Sequence, residues 1–173
     1  ELGVPYEIEE IRRLVGRTAP EILMELLNKY SPGWDPAKFD LNALAQRKND
    51  LYLQIARTSL ASYDGVKTGL EWLRARGIRA AVVSNAKNRE VTAAVTFAGL
   101  KPLLDEIVSR DEVPIPKPNP AIYLHAAALL EATPEECIAI EDSPTGLEAA
   151  LLAKIPTVAV LTNFPRRVLE SPV

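Results

Sequence analysis

The chain has 173 residues, of which 47% are hydrophobic and 25% charged, a composition typical of a globular protein with a core that needs no disulfides. Its net charge of −3 and pI near 5.3 argue against a general nucleic-acid binder or a membrane-surface binder. A single cysteine, Cys137, excludes an internal disulfide and suits a reducing compartment. Because no apolar run reaches the roughly 18 residues of a membrane span, we expect a cytoplasmic protein.

The first third of the sequence carries helical patterns and no strand-like alternation. Apolar residues recur at helical spacing over 7–14, 19–30 and 40–61, which predicts three helices. Thr18 is the expected N-cap of the second helix, and Glu21, three residues later, is its capping-box partner. We therefore predict a small all-helical unit over residues 1–62.

From residue 63 the pattern changes to alternating helices and strands. Helices are predicted over 66–76, 88–98, 120–130 and 146–153, and strands over 79–84, 106–109, 137–140 and 157–161. The first strand is a continuous apolar run of the kind that is buried on both faces, and the third is a short apolar run that we expect to be a buried strand. This alternation predicts an α/β fold with a parallel sheet and right-handed crossovers over residues 63–173.

Two adjacent carboxylates follow the third predicted strand. Glu141 and Asp142 stand between that strand and the start of a helix, at the end of the sheet where open α/β folds bind their ligands. Paired carboxylates without a nearby His or Cys suit a hard cation such as Mg²⁺. The same residues could instead do no more than stabilise the positive end of the following helix.

A hydroxyl and an amide follow the first predicted strand. Ser84 and Asn85 precede the helix that begins near residue 88, and a hydroxyl beside a helix N-terminus can donate hydrogen bonds to a phosphate. Ser-Asn before a helix is also an ordinary cap, so both interpretations remain open at this point.

A single lysine, Lys117, lies between three prolines in the segment 116–120. Proline restricts the backbone on both sides of the lysine, which would hold its ammonium group as a point charge on a phosphate. The alternative is a surface loop with a solvated lysine.

In chain order, Ser-Asn, Lys-Pro and Glu-Asp-Ser-Pro-x-Gly resemble the motifs of the haloacid dehalogenase superfamily of phosphatases and phosphomutases, over about residues 63–163. The resemblance implies a Rossmann-like core in which Ser84 and Asn85 bind phosphate. It implies that Lys117 stabilises the nucleophile and the transferring phosphoryl group, which makes Lys117 and Ser84 the catalytic residues of this chain. It also implies that Glu141 and Asp142 bind Mg²⁺, and that the substrate is a small phosphorylated metabolite such as a sugar phosphate.

The helical unit resembles the small cap domain that many members of this superfamily carry. Residues 16–18 and 47–52 are similar to cap segments of the β-phosphoglucomutase-like branch. The resemblance implies that Lys48, and to a lesser extent Arg17, contact the substrate. Lys48 could equally be a solvated helix residue.

The sequence departs from the superfamily at its start. Family members open with a strand that ends in Asp-x-Asp, which supplies the nucleophile and the general acid/base, and no Asp-x-Asp occurs here. We expect the nucleophile in a segment that precedes residue 1. Three functions remain open: a phosphatase that works through an aspartyl-phosphate, a β-phosphoglucomutase-type sugar phosphomutase, and a non-catalytic relative that binds phosphate or a partner. We expect a monomer or weak dimer with no nucleic-acid or membrane partner.

Overall fold

A computed structural model describes residues 7, 10, 14, 17–31, 33–35, 38 and 40–170. The helix predicted over 7–14 therefore lies mostly outside the described residues. No helix in the described part of the chain is both long enough and apolar enough to cross a membrane.

Two helices that pack against each other make up the described part of the helical unit: α1 (Ala19–Tyr30) and α2 (Leu41–Ser59). At the start of α1, the backbone N–H and the hydroxyl of Thr18 each donate to Glu21 Oε2 at 2.7 Å, so the predicted pairing of Thr18 with Glu21 is confirmed. Asp40 precedes α2, and its carboxylate accepts hydrogen bonds from the backbone at the start of that helix. Such caps satisfy N–H groups that have no partner within the helix.

The remaining elements alternate along the chain as predicted. The helices are α3 (Val66–Arg74), α4 (Asn88–Phe97), α5 (Ala121–Leu129), α6 (Pro144–Leu152) and the short α7 (Arg166–Leu169). The strands are β1 (Ala81–Ser84), β2 (Glu106–Ser109), β3 (Ala139–Glu141) and β4 (Thr157–Ala159). All four strands follow residue 63, whereas the division into units over 1–62 and 63–173 remains a prediction.

The strands are parallel, which confirms the predicted α/β class. Strand β1 pairs with β2 from Ala81 opposite Glu106 to Ser84 opposite Ser109, and β3 pairs with β4 from Ala139 opposite Thr157. Among the described strands there are two such pairs, and β1 is not hydrogen-bonded to β3. Parallel pairing brings the carboxyl ends of β1 and β2 to one edge, and likewise those of β3 and β4.

The prediction that β1 is buried on both faces was wrong, and β3, predicted to be a buried strand, is buried on one face only. Ile138 and Ile140 are 72% and 70% exposed, whereas Ala139 and Glu141 are buried. Helices α5 and α6 cover one face of β3 through an apolar cluster that includes Ile122, Ala139 and Ala149, and within the described residues no buried cluster contains the opposite face. In β1 every residue is half-buried.

Candidate active site

A buried ion pair joins the proline-rich loop to the end of β3. Lys117 Nζ lies 2.5 Å from Glu141 Oε1 and donates to the carbonyl oxygen of Val83, on β1, at 3.0 Å. The residues are 9% and 7% exposed. The alternative of a solvated surface lysine is therefore wrong, because the loop directs Lys117 into the interior.

Asn85 holds the backbone of Lys117 in place. The Lys117 N–H donates to Asn85 Oδ1 at 2.8 Å, and Asn85 Nδ2 donates to the Lys117 carbonyl oxygen at 3.2 Å. Both ends of the buried amide are thus engaged with the lysine loop, which ties the end of β1 to that loop. The direct contact of Asn85 with phosphate stays a prediction.

Further hydrogen bonds surround the Glu141 carboxylate. The Tyr123 hydroxyl donates to Oε1, and the Asp142 N–H and the Ser143 hydroxyl donate to Oε2 at 3.1 and 3.3 Å. Burial by itself would raise the pKa of Glu141, but the Lys117 charge and these hydrogen bonds outweigh it and hold the pKa below its usual value. Glu141 is therefore an ionised carboxylate whose charge is already offset by Lys117.

Sequence reasoning missed Tyr123. Its hydroxyl is 3.3 Å from Lys117 Nζ as well as bonded to Glu141. Burial, and then the negative charge of Glu141, raise the pKa of this hydroxyl, so it remains a donor. The feature of the sequence that could have pointed to Tyr123 as a site residue is its place six residues after Lys117, in the first turn of α5.

The structure brings the predicted core site residues together in one cavity. This strand-end cavity, of about 260 Å³, lies between the ends of β1 and β3, and its lining includes Ser84, Asn85, Lys117, Glu141 and Asp142. It occupies the position where open parallel sheets bind ligands. Ser84 Oγ also accepts a hydrogen bond from the Ala86 N–H at 3.1 Å. Ser84 therefore both stabilises the local turn and lines the cavity.

The donor set of the strand-end cavity fits Mg²⁺. Its candidate ligands are carboxylate oxygens, the hard donors that this ion prefers. Asp142 is half-buried, and its Oδ2 accepts from Asn163 and, at 3.4 Å, from Thr162. No cluster of three or more His, Cys, Asp or Glu side chains that could hold a metal occurs among the described residues. A pair of carboxylates is nonetheless sufficient for an ion that keeps several water or phosphate ligands.

A second cavity lies between the helical unit and the core. This cap–core cavity, of about 480 Å³, is lined by residues of α2 and α4 and also by Ser84 and Asn85, so the two cavities share lining residues at the end of β1. Both predicted substrate residues of the helical unit, Arg17 and Lys48, line it. The Arg17 guanidinium is paired with Glu25 at 2.5 Å.

Lys48 is held on the wall of this cavity by its neighbours. Its Nζ donates to Asn49 Oδ1 at 3.2 Å and lies 6.0 Å from the centre of the Tyr52 ring. Burial lowers the pKa of Lys48, and the nearby carboxylate of Glu90 partly offsets this. Its predicted contact with substrate stays a prediction.

Glu90 is a second residue that sequence reasoning missed. It lies in the first turn of α4, lines the cap–core cavity and is only 4% exposed. Its Oε2 atom is buried and has no hydrogen-bond partner in the part of the chain that the structure describes. Its neighbour Arg89 reaches across to the helical unit, where it pairs with Asp50 of α2 at 2.8 Å.

The chain is similar to known proteins in both sequence and fold. The sequence model of the haloacid dehalogenase-like hydrolase family matches residues 1–160. The chain is 30% identical to a phosphorylated carbohydrates phosphatase of Thermotoga maritima, over 90% of this chain and 70% of that protein. It is also 30% identical to a phosphoglycolate phosphatase of Nitrosococcus oceani, over 94% and 72%.

Among solved structures, CbbY from Rhodobacter sphaeroides in complex with phosphate superposes with a TM-score of 0.81 at 28% identity. The match covers 95% of this chain and 76% of that one. The family match spans both the helical unit and the α/β core. The chain belongs to the haloacid dehalogenase-like hydrolase family.

Proposed function

We propose that this protein is a Mg²⁺-dependent phosphatase that hydrolyses a small phosphorylated metabolite, such as a sugar phosphate, through an aspartyl-phosphate. The observation that carries the proposal is the convergence of Ser84, Lys117, Glu141 and Asp142 on one strand-end cavity. The names of the two relatives, both phosphatases of small phosphate esters, support the same reaction class.

The residues of this chain would act on the phosphoryl group. The Lys117 ammonium, fixed by Glu141 and by the Val83 carbonyl, would offset negative charge on the phosphoryl oxygens as the bond to the leaving oxygen breaks. The Ser84 hydroxyl would donate to one of those oxygens. Because both groups are already held in position, little reorganisation is needed when the transition state forms.

Glu141 and Asp142 are the proposed Mg²⁺ ligands. A bound Mg²⁺ ion would supply additional positive charge at the phosphoryl oxygens. Asp142 is the better placed of the two carboxylates, because Glu141 is already paired with Lys117. Glu141 therefore has a second task, which is to hold Lys117 at the edge of the cavity.

No Asp-x-Asp occurs in residues 1–173, so the proposed nucleophilic aspartate is not assigned to any of them. We propose that it lies on an extended segment paired between β1 and β3, since among the described strands each of these has one hydrogen-bonded neighbour. Such a segment would end at the strand-end cavity. Its aspartate would attack phosphorus and displace the organic group, whose oxygen takes up a proton and leaves as an alcohol. Water would then cleave the aspartyl-phosphate, which releases phosphate and restores the carboxylate.

The helical unit would enclose the organic part of the substrate. Lys48 lines the cap–core cavity, and Ser84 lines both this cavity and the strand-end cavity. An ester held by its phosphate near Ser84 would therefore extend towards α2. Exclusion of bulk water from this space would favour phosphoryl transfer to the chosen acceptor. We propose Lys48 as a substrate contact and Arg17 as a weaker one, because Glu25 already engages the Arg17 guanidinium.

A sugar phosphomutase is the second candidate, favoured by the place of Lys48 in a cavity large enough for a sugar.

Analysis of the reaction products distinguishes a phosphatase from a phosphomutase. The protein, expressed from its complete reading frame, is incubated with a panel of sugar phosphates and phosphoglycolate, with Mg²⁺ or with a chelator. We expect free phosphate in an amount equal to the ester consumed, and only with Mg²⁺. An isomerised ester without free phosphate would indicate the mutase. Binding of ester without any turnover would indicate a non-catalytic relative.

A further inference from the structure

We infer that Glu90 is a specificity-determining residue, whose carboxylate accepts hydrogen bonds from hydroxyl groups on the organic part of the substrate. The cap–core cavity would then select hydroxylated phosphate esters over esters that carry a carboxylate. This inference rests on the proposed phosphatase function and adds to it the chemical class of the substrate.

The first support is the state of the Glu90 side chain. It is 4% exposed, and its Oε2 has no hydrogen-bond partner among the described residues. A buried carboxylate oxygen without a partner is costly, and most buried polar atoms in native proteins do have one. Because Glu90 lines the cap–core cavity, a molecule bound there can supply the missing donor.

The second support is the position of Glu90 at the start of a helix and beside two residues of α2. The residue lies in the first turn of α4, near the positive end of the helix dipole. The influence of its charge extends to two residues of α2: it opposes the effect of burial on the pKa of Lys48, and it adds to burial in raising the pKa of Tyr52. The oxygen atoms of a carboxylate accept hydrogen bonds, so a ligand that pairs with Glu90 Oε2 would present a donor.

The third support is the position of Glu90 relative to the phosphate site. Glu90 and Ser84 line the same cavity. An ester whose phosphate lies near Ser84 would therefore direct its organic part towards Glu90. Hydroxyl groups there would satisfy the unpartnered oxygen, whereas a substrate carboxylate would place a second negative charge beside it, which is unfavourable in a partly buried site.

Four cationic side chains line the same cavity: Arg17, Lys48, Lys87 and Arg110. Two of them already have protein partners. Glu25 engages the Arg17 guanidinium on the exposed side. The Lys48 ammonium already donates to Asn49, and its charge is partly balanced by Glu90. Glu90 is the one carboxylate among the described residues that line the cavity, and its unpartnered Oε2 is a hydrogen-bond acceptor that the hydroxyl groups of a polyol would suit.

The test compares two phosphate esters on the protein expressed from its complete reading frame. The readout is the ratio of kcat/KM for D-glucose 6-phosphate to kcat/KM for 2-phosphoglycolate. Glu90→Gln keeps the shape of the side chain but removes its charge and turns one acceptor into a donor. We expect the ratio to fall by about tenfold or more, because the variant loses the hydrogen bonds that the carboxylate accepts from the hydroxyl groups of the sugar. The matched control is Glu71→Gln on the exposed side of α3, which should leave the ratio unchanged.

The outcomes separate this inference from the function on which it rests. If the wild-type protein hydrolyses both esters but Glu90→Gln leaves their ratio unchanged, the inference is wrong and the phosphatase function stands. A wild-type preference for 2-phosphoglycolate would also overturn the inference alone. If the wild-type protein releases phosphate from neither ester nor from any other phosphate ester, both proposals fail. A thermal unfolding curve for each variant confirms that the folded protein is being compared.

Discussion

Replacement of Gly146 by alanine would displace the Glu141 carboxylate at the centre of the candidate site. A Cβ atom at this position would lie 2.1 Å from both Cδ and Oε2 of Glu141. Favourable contacts between carbon atoms require about 3.5 Å or more. Either the carboxylate or helix α6 must therefore move by more than an ångström, which explains why glycine stands at this position of α6.

The size of the effect follows from what holds Glu141. Its carboxylate is paired with Lys117 at 2.5 Å and accepts hydrogen bonds from Tyr123 and Ser143, so it cannot swing aside freely. Overpacking of a core costs about 1–3 kcal/mol, and separation of a buried ion pair costs about 3–5 kcal/mol. We expect Gly146→Ala to lower the free energy of unfolding by about 2–5 kcal/mol.

Urea unfolding of the wild type and the variant measures this loss directly. Gly69→Ala is the matched control, because Gly69 lies inside α3 and a Cβ atom added there would have no atom within 4 Å beyond its own helix and chain neighbours. Alanine there should raise stability by up to about 1 kcal/mol. The reasoning is refuted if Gly146→Ala unfolds at the same urea concentration as the wild type with an unchanged slope.

Three further predictions concern the charged groups. Lys117→Ala should lower kcat by about a hundredfold or more, because it removes a preorganised charge from the cavity; near-normal phosphate release would contradict the assignment. The depressed pKa of Glu141 contributes stability that is complete above its usual value of 4.5 and is lost as the pH falls through the folded-state value. Glu141→Gln should therefore flatten the acid side of a plot of unfolding free energy against pH, with each free energy measured by urea unfolding. The same dependence on pH in the variant and the wild type would count against this. Arg89→Ala breaks an exposed ion pair with Asp50 and should lower the free energy of unfolding by less than about 1 kcal/mol. Urea unfolding at low and high salt measures this loss. A loss of several kcal/mol would contradict the view that an exposed ion pair contributes little to stability.

The sequence was sufficient to predict the elements and the convergence of the core site. Ser84, Lys117 and Asp142 are far apart in the chain, yet each stands at the end of a strand or in a loop beside one. Parallel strands place their carboxyl ends together, so the α/β alternation alone brings such residues to one edge. The Lys117 loop was more ambiguous, because three prolines make a loop rigid without showing which way its side chains point.

Tertiary contacts that leave no local trace could not be predicted. Glu90 looks like an ordinary acidic residue in the first turn of a helix, and only the packing of α2 over α4 buries it. Tyr123 looks like one more apolar residue of α5 until its hydroxyl is found between Lys117 and Glu141. The prediction for β3 failed on one of its faces for the same reason, since an apolar run does not reveal whether one or both faces of a strand are covered.

The most direct test of the central claim is the Mg²⁺ dependence of phosphate release by the wild type and by Asp142→Asn, each expressed from its complete reading frame. If the strand-end cavity is a Mg²⁺-assisted phosphoryl-transfer site, the wild type releases phosphate only when Mg²⁺ is present. The variant, with a similar unfolding curve, should then need far more Mg²⁺ or lose about a hundredfold in kcat/KM. Equal activity and equal Mg²⁺ dependence in the two proteins would contradict the account.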